Sequence, residues 1–388
     1  MALGSIGSIG MWSVVIILPT IQTEFGVDRG TASIPYTLTM VGFAFGNVIA
    51  GRMADRRGIM LPMILAGLAL GLGFISAAST TALWQFALIQ GVLIGLGTAV
   101  TFGPLISNIS HWFKRRRGLA VAATAAGNYA GGAIWPMALQ TLVGDYGWRT
   151  TYLIVGLFCL ATMAPMAFLL RQNLPHSDRV GGAGDFSESD QFCRIDFTPR
   201  QLQIMLAIAG VGCCMAMSMP QVHIVAYSAD LGFGVKRGAE MLSLMFAGGI
   251  FSRLASGFLA DYVGGVRTLM LGSVLQCLAL LLYLPFDGVT ALYVISFSFG
   301  LSQGGIVPSY AIIVREYLPA HEAGERVGLV IMATLVGMAV GGWVSGWIYD
   351  ITGSYQAAFI NGVAWNLLNI SIIAILLLRS RGSQSVRA

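Results

Sequence analysis

The sequence predicts an all-α integral membrane protein whose twelve transmembrane helices form two pseudo-symmetric bundles of six. Three observations lead to this fold class. Of the 388 residues, 56% are hydrophobic and 10% are charged, with a mean hydropathy of +0.76, whereas a soluble domain carries about 25% charged residues. The charged residues lie in short breaks between long apolar runs. A loop motif also recurs halfway along the chain, which indicates an internal repeat.

Apolar stretches long enough to cross a bilayer, about 20 residues each, define the helices in chain order. The first run has no basic segment before it, so it is interpreted as a transmembrane helix rather than a cleaved signal peptide. The predicted ranges are 1–21, 31–51, two helices within 58–110 divided near Ser79, 118–143, 150–170, 200–222, 238–259, 267–285, 289–313, 326–349 and 355–378.

The domain organisation follows from these helices. Residues 1–170 are predicted to form the N-terminal bundle, 171–200 a cytoplasmic linker, and 201–388 the C-terminal bundle. The linker combines Ser, Asp and Gly with charges of both signs. Thr198 followed by Pro199 is typical of the N-cap and first position of a helix, which predicts the start of the seventh helix.

The internal repeat supports the division into two bundles. The loop after the second helix, residues 51–58, reads GRMADRRG, and residues 257–264 after the eighth helix read GFLADYVG. The two copies are 206 residues apart, and Asp145 and Asp350 recur with a spacing of 205. Parallel six-helix halves around an axis along the membrane normal are an architecture of secondary transporters.

The distribution of basic residues predicts the orientation, since cytoplasmic loops carry the excess of Lys and Arg. With both termini in the cytoplasm, 17 of the 22 basic residues lie inside and 4 outside. We therefore expect a multi-pass protein of the cell (inner) membrane. The net charge of +5 arises at helix ends, so the lipid bilayer is the expected partner and nucleic acid is not.

Neither a metal site nor a disulfide framework is predicted. Four of the five cysteines lie in apolar spans and Cys193 lies in the linker. No CxxC or metal-ligand spacing occurs among them. We therefore predict no metal and no cofactor.

Twelve spans, a long central loop and the motif at 51–58 resemble the major facilitator superfamily. The resemblance implies its fold, and a conformational role for the motif residues Gly51, Arg52, Asp55, Arg56 and Gly58. Asp55 would pair with Arg52 or Arg56 and brace a cytoplasmic gate, and Asp261 would act equivalently in the second copy. A purely structural role at a helix end is the alternative. Ile59 and Met60 depart from the motif, which has basic residues there.

A narrower resemblance lies at the start of the fifth helix. Residues 112–120 read WFKRRRGLA and lead to Ala126 and Gly127, a pattern similar to that of monocarboxylate transporters and oxalate/formate-exchanger-like proteins. Trp112, Ala122 and Thr124 are departures from it, and the acidic signature in the first helix is not found. The basic run at 114–117 is itself interpreted as a topology anchor beside anionic lipid.

Arg253 is the only charged residue near the middle of a predicted span. It lies about 12 Å inside Asp261 and about 24 Å from Arg237 at 1.5 Å per residue. A charge at the centre of a helix costs about 2.5–3.5 kcal/mol on insertion scales, and Arg cannot lose its proton. Its fork of N–H donors suits a carboxylate, although snorkelling or binding to carbonyl groups is an alternative.

The resemblance implies that Arg253 binds the carboxylate of a cargo, because the resembled transporters use an arginine in the eighth helix in this way. Gly249 replaces an aspartate that animal-type carriers have one turn earlier. Residues 327–349 contain no lysine, whereas oxalate exchange in the resembled group uses one in the eleventh helix. A single cation favours a monoanion over a dianion.

Further polar residues within the spans are candidates for substrate binding. His223 is the one titratable candidate, and it either faces water at the outer rim or takes part in substrate binding or proton coupling. The remaining candidates bring polar groups into a low-dielectric span, where they need partners; they are Asn128, Tyr129, Gln303 and Tyr310.

The resulting hypothesis is a monomeric secondary transporter that moves a small organic monocarboxylate by alternating access, with protons as a possible co-substrate. Symport, exchange and facilitated diffusion remain open. The alternative is a proton-coupled drug or other small-solute antiporter. It is disfavoured because the fifth helix lacks the G-x-x-x-G-P-x-x-G-G element of such exporters, and because no buried acid is predicted. No catalytic constellation for an enzyme is visible.

Overall fold

The computed structural model describes residues 1–112, 117–170, 197–318 and 323–381. Within these ranges the secondary structure is helical and contains no strand. Residues 114–116 of the basic run and 171–196 of the predicted linker lie outside the described residues, and so does the side chain of Asp55.

Six helices form the first half of the chain. Gly147, with φ 77° and ψ 161°, interrupts a continuous run from Arg117 to Leu169 and divides it into two helices. A short irregular step at Thr101 and Phe102 breaks the fourth helix before it continues to Trp112. The helices are α1 (Ala2–Phe25), α2 (Arg29–Arg57), α3 (Met60–Ala78), α4 (Leu83–Trp112), α5 (117–146) and α6 (148–169).

Six more helices form the second half, so the predicted twelve-helix fold is confirmed. The pair Gly304 and Gly305 breaks α10 between Gln303 and Ile306. The helices are α7 (Pro199–Asp230), α8 (Val235–Val263), α9 (Gly265–Leu282), α10 (Val289–Tyr317), α11 (Ala323–Thr352) and α12 (Tyr355–Arg381).

Several helices are longer than the apolar runs that predicted them. Helix α7 continues to Asp230, eight residues beyond the predicted end, and α8 begins at Val235, three residues before the predicted start. The expectation that no span contains a carboxylate is therefore wrong at the helix ends. The reason is that helical hydrogen bonding continues past the apolar run into polar residues, whereas hydropathy follows only side-chain composition.

The predicted start of α7 is confirmed by a capping box. The Thr198 hydroxyl accepts a hydrogen bond from the Gln201 amide at 3.3 Å, and the Gln201 side chain accepts one from the Thr198 amide at 3.0 Å. Pro199 occupies the first helical position. These interactions satisfy amides that a helix start otherwise leaves unpaired.

Glycine pairs place equivalent helices in close contact in the two halves. A Cβ atom on Gly131 of α5 would lie 1.9 Å from Ser8 Oγ of α1, and one on Gly341 of α11 would lie 2.2 Å from Ser218 Oγ of α7. The GxxxG pairs that begin at Gly127 and Gly337 therefore serve helix packing.

A second pair of contacts joins α2 to α4 and α8 to α10. A Cβ on Gly42 would lie 1.9 Å from the Gly91 carbonyl oxygen, and one on Gly300 would lie 2.0 Å from the Met245 carbonyl oxygen. We call these contacts the α2–α4 seam and the α8–α10 seam. Both require backbones at a distance that only glycine allows.

The two halves meet along α2 with α11 and along α5 with α8. At the end that carries Arg29 the contact is close, since a Cβ on Gly346 would lie 2.9 Å from the Arg29 carbonyl oxygen. We call this the outer end, following the predicted orientation, and the opposite end the inner end. At the inner end, a Cβ on Gly51, Gly257 or Gly328 would meet nothing within 4 Å.

Candidate functional site

Arg253 lies on α8 about 27 Å from its outer end, counted from Val235 at 1.5 Å per residue. Its guanidinium carbon is 5.1 Å from the centre of the Tyr129 ring of α5. The side chain is partly exposed. Among the described residues it forms no salt bridge, because neither ion pair found in that part of the chain includes it. The ring supplies some stabilisation through a cation–π interaction, but no opposite charge.

An aromatic cluster lies next to Arg253 on its outer side. Phe246 precedes Arg253 by two helical turns, and its ring centre is 5.8 Å from that of Tyr129 and 4.2 Å from that of Trp12 of α1. Gly249 lies between them, where a Cβ would come within 2.4 Å of the Tyr129 ring. Helices α1, α5 and α8 therefore form an aromatic wall that spans both halves.

The break in α10 is positioned against the turn that carries Arg253. A Cβ on Gly304 would lie 2.4 Å from the Gly249 carbonyl oxygen and 2.7 Å from the Arg253 amide nitrogen. One on Gly305 would lie 2.2 Å from Ser256 Cβ. The two glycines thus allow α10 to approach α8 closely at the depth of Arg253. A glycine pair is also a common cause of a helix break such as this one.

Several buried polar atoms have no hydrogen-bond partner among the described residues. They include Trp12 Nε1, the Tyr36 hydroxyl and Gln303 Nε2. All three side chains are buried. Buried polar groups are normally paired, so unpaired donors on α1, α2 and α10 are groups that a ligand could satisfy.

Gln303 and Tyr310, both predicted for substrate binding, differ in their surroundings. Gln303 Oε1 accepts a hydrogen bond of 2.5 Å from Gln221 Nε2 of α7, while its own amide nitrogen is free. The Tyr310 hydroxyl donates to Asn369 Oδ1 of α12 at 2.8 Å, and Asn369 in turn donates to Ser273 Oγ. Tyr310 therefore joins helices within the second half.

Asn128 and Tyr129 lie next to each other on α5. Asn128 is largely buried. Its backbone lies close to α1, since a Cβ on Gly4 would be 3.8 Å from the backbone nitrogen of Asn128. Tyr129 faces α8. The structure therefore brings Tyr129, but not Tyr310, into contact with Arg253.

His223 lies in a buried hydrogen-bond network, so the water-facing alternative is wrong. The side chain is 0% exposed. Its Nε2 lies 2.8 Å from the Gly342 carbonyl oxygen, which can only accept, so Nε2 carries the hydrogen. Nδ1 then accepts from the Tyr355 hydroxyl at 3.3 Å. This histidine connects α7 to α11 and α12.

The same network continues to Arg29 at the start of α2. Arg29 Nη1 donates to the Tyr355 hydroxyl at 2.5 Å and to Asp230 Oδ2 at 2.7 Å, and Nη2 donates to Asp230 Oδ1 at 3.3 Å. Arg29 Nε donates to Gln22 Oε1 at 2.7 Å. A first-half arginine is thus held by a carboxylate and a phenol of the second half.

Asp350 of α11 forms a second connection at this end. Its Oδ1 accepts from the Arg29 amide at 2.8 Å and its Oδ2 accepts from the Gly30 amide at 2.6 Å. These are the first amides of α2, which a carboxylate stabilises through hydrogen bonding and the helix dipole. We call the contacts of Arg29 and Gly30 with Asp230, Tyr355 and Asp350 the outer latch.

The outer latch and the residues Trp12, Tyr36 and Gln221 were missed by sequence reasoning. Arg29 was counted only as a topology signal. Polar atoms of Trp and Tyr inside apolar runs were the available signal for Trp12 and Tyr36, since such groups need partners when buried.

The predicted gating motif lies at the inner end. Arg52, Arg56 and Asp261 are exposed. The pairing proposed for Asp55 involves a side chain outside the described residues. In the part of the chain that the structure describes, no group of three or more His, Cys, Asp or Glu residues is arranged to hold a metal ion.

Comparison with known proteins identifies the family. The profile of the Major Facilitator Superfamily matches residues 1–261 and 204–387. Monocarboxylate transporter 13 of Rattus norvegicus is 29% identical over 347 residues, which cover 89% of this chain and 78% of the relative. Agnestins efflux protein AgnL12 of Paecilomyces divaricatus is 24% identical over 91% of this chain and 80% of its own length.

A solved structure shows the same fold. A bacterial homologue of the human lysosomal transporter Spinster, in an inward-facing and occupied conformation, superposes with a TM-score of 0.75. It is 14% identical, and the match covers 98% of this chain and 95% of that one. Fold, family profile and relatives agree, and the chain belongs to the Major Facilitator Superfamily, in a branch similar to the monocarboxylate transporters.

Proposed function

We propose that the protein carries a small organic monocarboxylate across the cell (inner) membrane by alternating access, and that Arg253 binds the carboxylate. The observation that carries this proposal is a guanidinium at membrane depth with no acidic partner among the described residues. Such a charge is expensive to place in a span, and an anionic cargo would neutralise it through paired N–H donors.

The remainder of the site supports a monoanion of limited size. Arg253 is the one cation on the turn of α8 that faces the break in α10. Tyr129, Phe246 and Trp12 provide an aromatic surface next to it. The relatives named monocarboxylate transporters support the same cargo class.

Alternating access is supported by the difference between the two ends. The outer latch holds the halves together, while Arg52, Arg56 and Asp261 at the inner end are exposed. This arrangement supports a state that is closed at the outer end, from which the proposed cycle would release the cargo towards the cytoplasm. In the proposed cycle, the inner gate includes Gly51, Asp55 and Gly58, and both termini lie in the cytoplasm. We also propose that the protein acts as a monomer, and that it is a transporter rather than an enzyme.

A thermal-shift screen of purified protein with small carboxylates tests the proposal. We expect Arg253→Gln to lower the affinity for carboxylates at least tenfold, because a hydrogen bond to a charged group contributes about 1.5–3 kcal/mol. The affinity is obtained from the thermal shift as a function of carboxylate concentration. Arg237→Gln is the matched control, since Arg237 is an exposed arginine at the outer start of α8. The proposal is wrong if no carboxylate stabilises the wild type, or if Arg253→Gln responds as the wild type does.

Export of a larger organic solute is a second candidate, favoured by similarity to a fungal efflux protein. In that case neutral solutes would stabilise the wild type, and Arg253→Gln would not weaken the effect. Counterflow in proteoliposomes, with and without a pH gradient, then distinguishes exchange from proton-coupled transport.

A further inference from the structure

The outer latch borders an open pocket of about 540 Å³. Residues at the end of α1, the start of α2 and the end of α7 line this pocket, among them Gln22, Thr23, Arg29 and Asp230. Thr23 is exposed, so the pocket is reached from the outer surface. Arg253 lies about 27 Å along α8 from this end at 1.5 Å per residue. The pocket is therefore separate from the site at Arg253.

Arg29 brings a buried cation with one free donor into this lining. Its side chain is 7% exposed. Four of its five guanidinium N–H groups are used, by Gln22, by Tyr355 and by the two oxygens of Asp230. The fifth N–H group, on Nη2, has no partner among the described residues. This group remains available to an acceptor in the pocket.

Gln22 adds a second free donor, and its orientation is fixed by Arg29. Arg29 Nε can only donate, so the Gln22 atom that lies 2.7 Å from it is the acceptor Oε1. Exchanging the two ends of the amide would place two donors against each other. Gln22 Nε2 is therefore the free end of a half-buried side chain that lines the pocket.

The bond between Arg29 and Asp230 shows which chemical group these donors hold. The Asp230 oxygens accept from Nη1 at 2.7 Å and from Nη2 at 3.3 Å, which is the paired geometry in which a guanidinium binds a carboxylate. Asp230 is the more exposed partner, with 33% of its side chain accessible. Because the two residues belong to different halves, opening of the outer end would separate them and leave both donors of Arg29 to another carboxylate.

We infer that this pocket binds a small carboxylate anion from outside, and that the bound carboxylate competes with Asp230 for Arg29. While the latch is closed, the anion accepts from the fifth N–H group of Arg29 and from Gln22 Nε2. When the latch opens, it also gains the two donors that Asp230 has left. It thus binds the open state more tightly, which shifts the equilibrium towards outer opening.

The affinity of this site is low. Asp230 and the C-terminal ends of α1 and α7 place negative charge beside the pocket. We therefore expect a dissociation constant of about 1 mM or above. Saturation-transfer difference NMR detects binding in this range, and propionate is the probe.

The experiment uses the purified full chain with Arg253→Gln, which removes the proposed central site. We expect a saturable propionate signal that an equal concentration of chloride does not remove. The absence of a saturable signal would overturn the inference. Displacement by an equal concentration of chloride would also overturn it, because the pocket would then bind any small anion.

Two variants in this background act in opposite directions. Arg29→Gln should weaken propionate binding about tenfold, since paired donors with a positive charge are lost. Asp230→Asn should tighten it about threefold or more, because the competing carboxylate is removed. An ion pair that only braces the two halves would not give tighter binding in Asp230→Asn. Unchanged or weaker binding in that variant would therefore overturn the competition.

A third variant keeps the inference testable if Arg29→Gln does not fold. Gln22→Leu should weaken propionate binding about three- to fivefold, since one donor is lost. Gln85→Leu is the matched control, because Gln85 is a half-buried glutamine at the outer start of α4 that does not line the pocket. Equal affinities in Gln22→Leu and Gln85→Leu would contradict the inference.

Release of the latch is measured in the same background after removal of the native cysteines. Saturating propionate should lengthen the distance between spin labels at Tyr146 and Phe286, which are exposed at the outer end in different halves. An unchanged distance would overturn the coupling to the latch. A failure of the proposed function is distinguishable, since wild type and Arg253→Gln would then give the same propionate titration. The Arg29 and Asp230 variants decide the outer site in either case.

Discussion

The two halves place different side chains at one equivalent position. Asn47 of α2 and Arg253 of α8 are 206 residues apart, the spacing of the loop repeat. Each lies beside a break in the neighbouring helix. Asn47 Oδ1 accepts from the Gly103 amide at 3.1 Å just after the break in α4, and its Nδ2 donates to the Phe43 carbonyl oxygen at 2.9 Å. Arg253 lies against the break in α10, where its guanidinium lies over the Tyr129 ring and has no acidic partner among the described residues.

This difference separates scaffold from function. The backbone arrangement is repeated, including the seams and the helix breaks. In the first half, both polar atoms of the Asn47 side chain form hydrogen bonds with the backbone, so this side chain stabilises the break in α4. In the second half a charged side chain is left available to a ligand. Under the proposed function, the repeated backbone provides the framework of the site and a departure from symmetry provides the binding group.

The strongest test of the repeated scaffold is overpacking of both seams. Gly42→Ala and Gly300→Ala would place a Cβ at 1.9 and 2.0 Å from a carbonyl oxygen of the opposite helix. We expect each to lower the stability by about 3 kcal/mol or more, measured by thermal unfolding in detergent.

Controls for the seams come from glycines in open space. A Cβ on Gly144 or Gly257 would meet nothing within 4 Å, so Gly144→Ala and Gly257→Ala should be neutral or stabilising, because Ala has the higher helix propensity. If only one of the two seam variants is destabilised, the halves are not packed equivalently.

A second test concerns the outer latch, where the symmetry is also broken. Asp350 accepts from two amides at the start of α2, whereas its counterpart Asp145 is exposed. We expect Asp350→Asn to weaken closure of the outer end by about 1.5–3 kcal/mol, since hydrogen bonds to a charged acceptor are lost. Asp145→Asn should leave closure unchanged.

Distances between spin labels at Tyr146 and Phe286, in a background without the native cysteines, measure this effect. Both residues are exposed at the outer end, one in each half. A longer distance in Asp350→Asn is the expected outcome. The same distance distribution in wild type and Asp350→Asn would show that the latch does not hold the halves together.

The smallest expected effect distinguishes Asn47 from Arg253. Asn47→Leu removes the acceptor for the Gly103 amide and should lower the stability by about 1 kcal/mol, with carboxylate affinity within twofold of wild type. Thermal unfolding with and without carboxylate measures both quantities. Loss of carboxylate binding in Asn47→Leu would contradict the division of roles between the halves.

The sequence was sufficient for the fold because its signals are local. Apolar runs located the twelve helices, and Thr198 with Pro199 located the start of α7. The contacts that bring distant helices together were not predictable in this way. Asp350 reaches an amide 321 residues away, and no local pattern reports such a pairing. Gln221 was not recognised either, because its hydrogen bond to Gln303 joins residues that are 82 positions apart in the chain.

His223 shows the same limit for the site. A histidine after a proline near the end of an apolar run is compatible with a water-facing rim, and only the packing of α11 and α12 buries it. Arg253 was predictable, because the cost of a charge inside a span is a property of one residue in its own segment.

The position of Asp350 has a consequence for the empty transporter. Helix α2 obtains the partner for its first two amides from the other half, so opening the outer end leaves these two amides without Asp350, while Asp28 still caps the Thr31 amide. In the proposed transport cycle, these contacts bias the carrier without cargo towards outer closure. A cargo can reverse this bias only by as much as it binds the outward-open state more tightly. In the proposed transport cycle, the latch of the empty carrier would then also act as a seal against leakage of small ions.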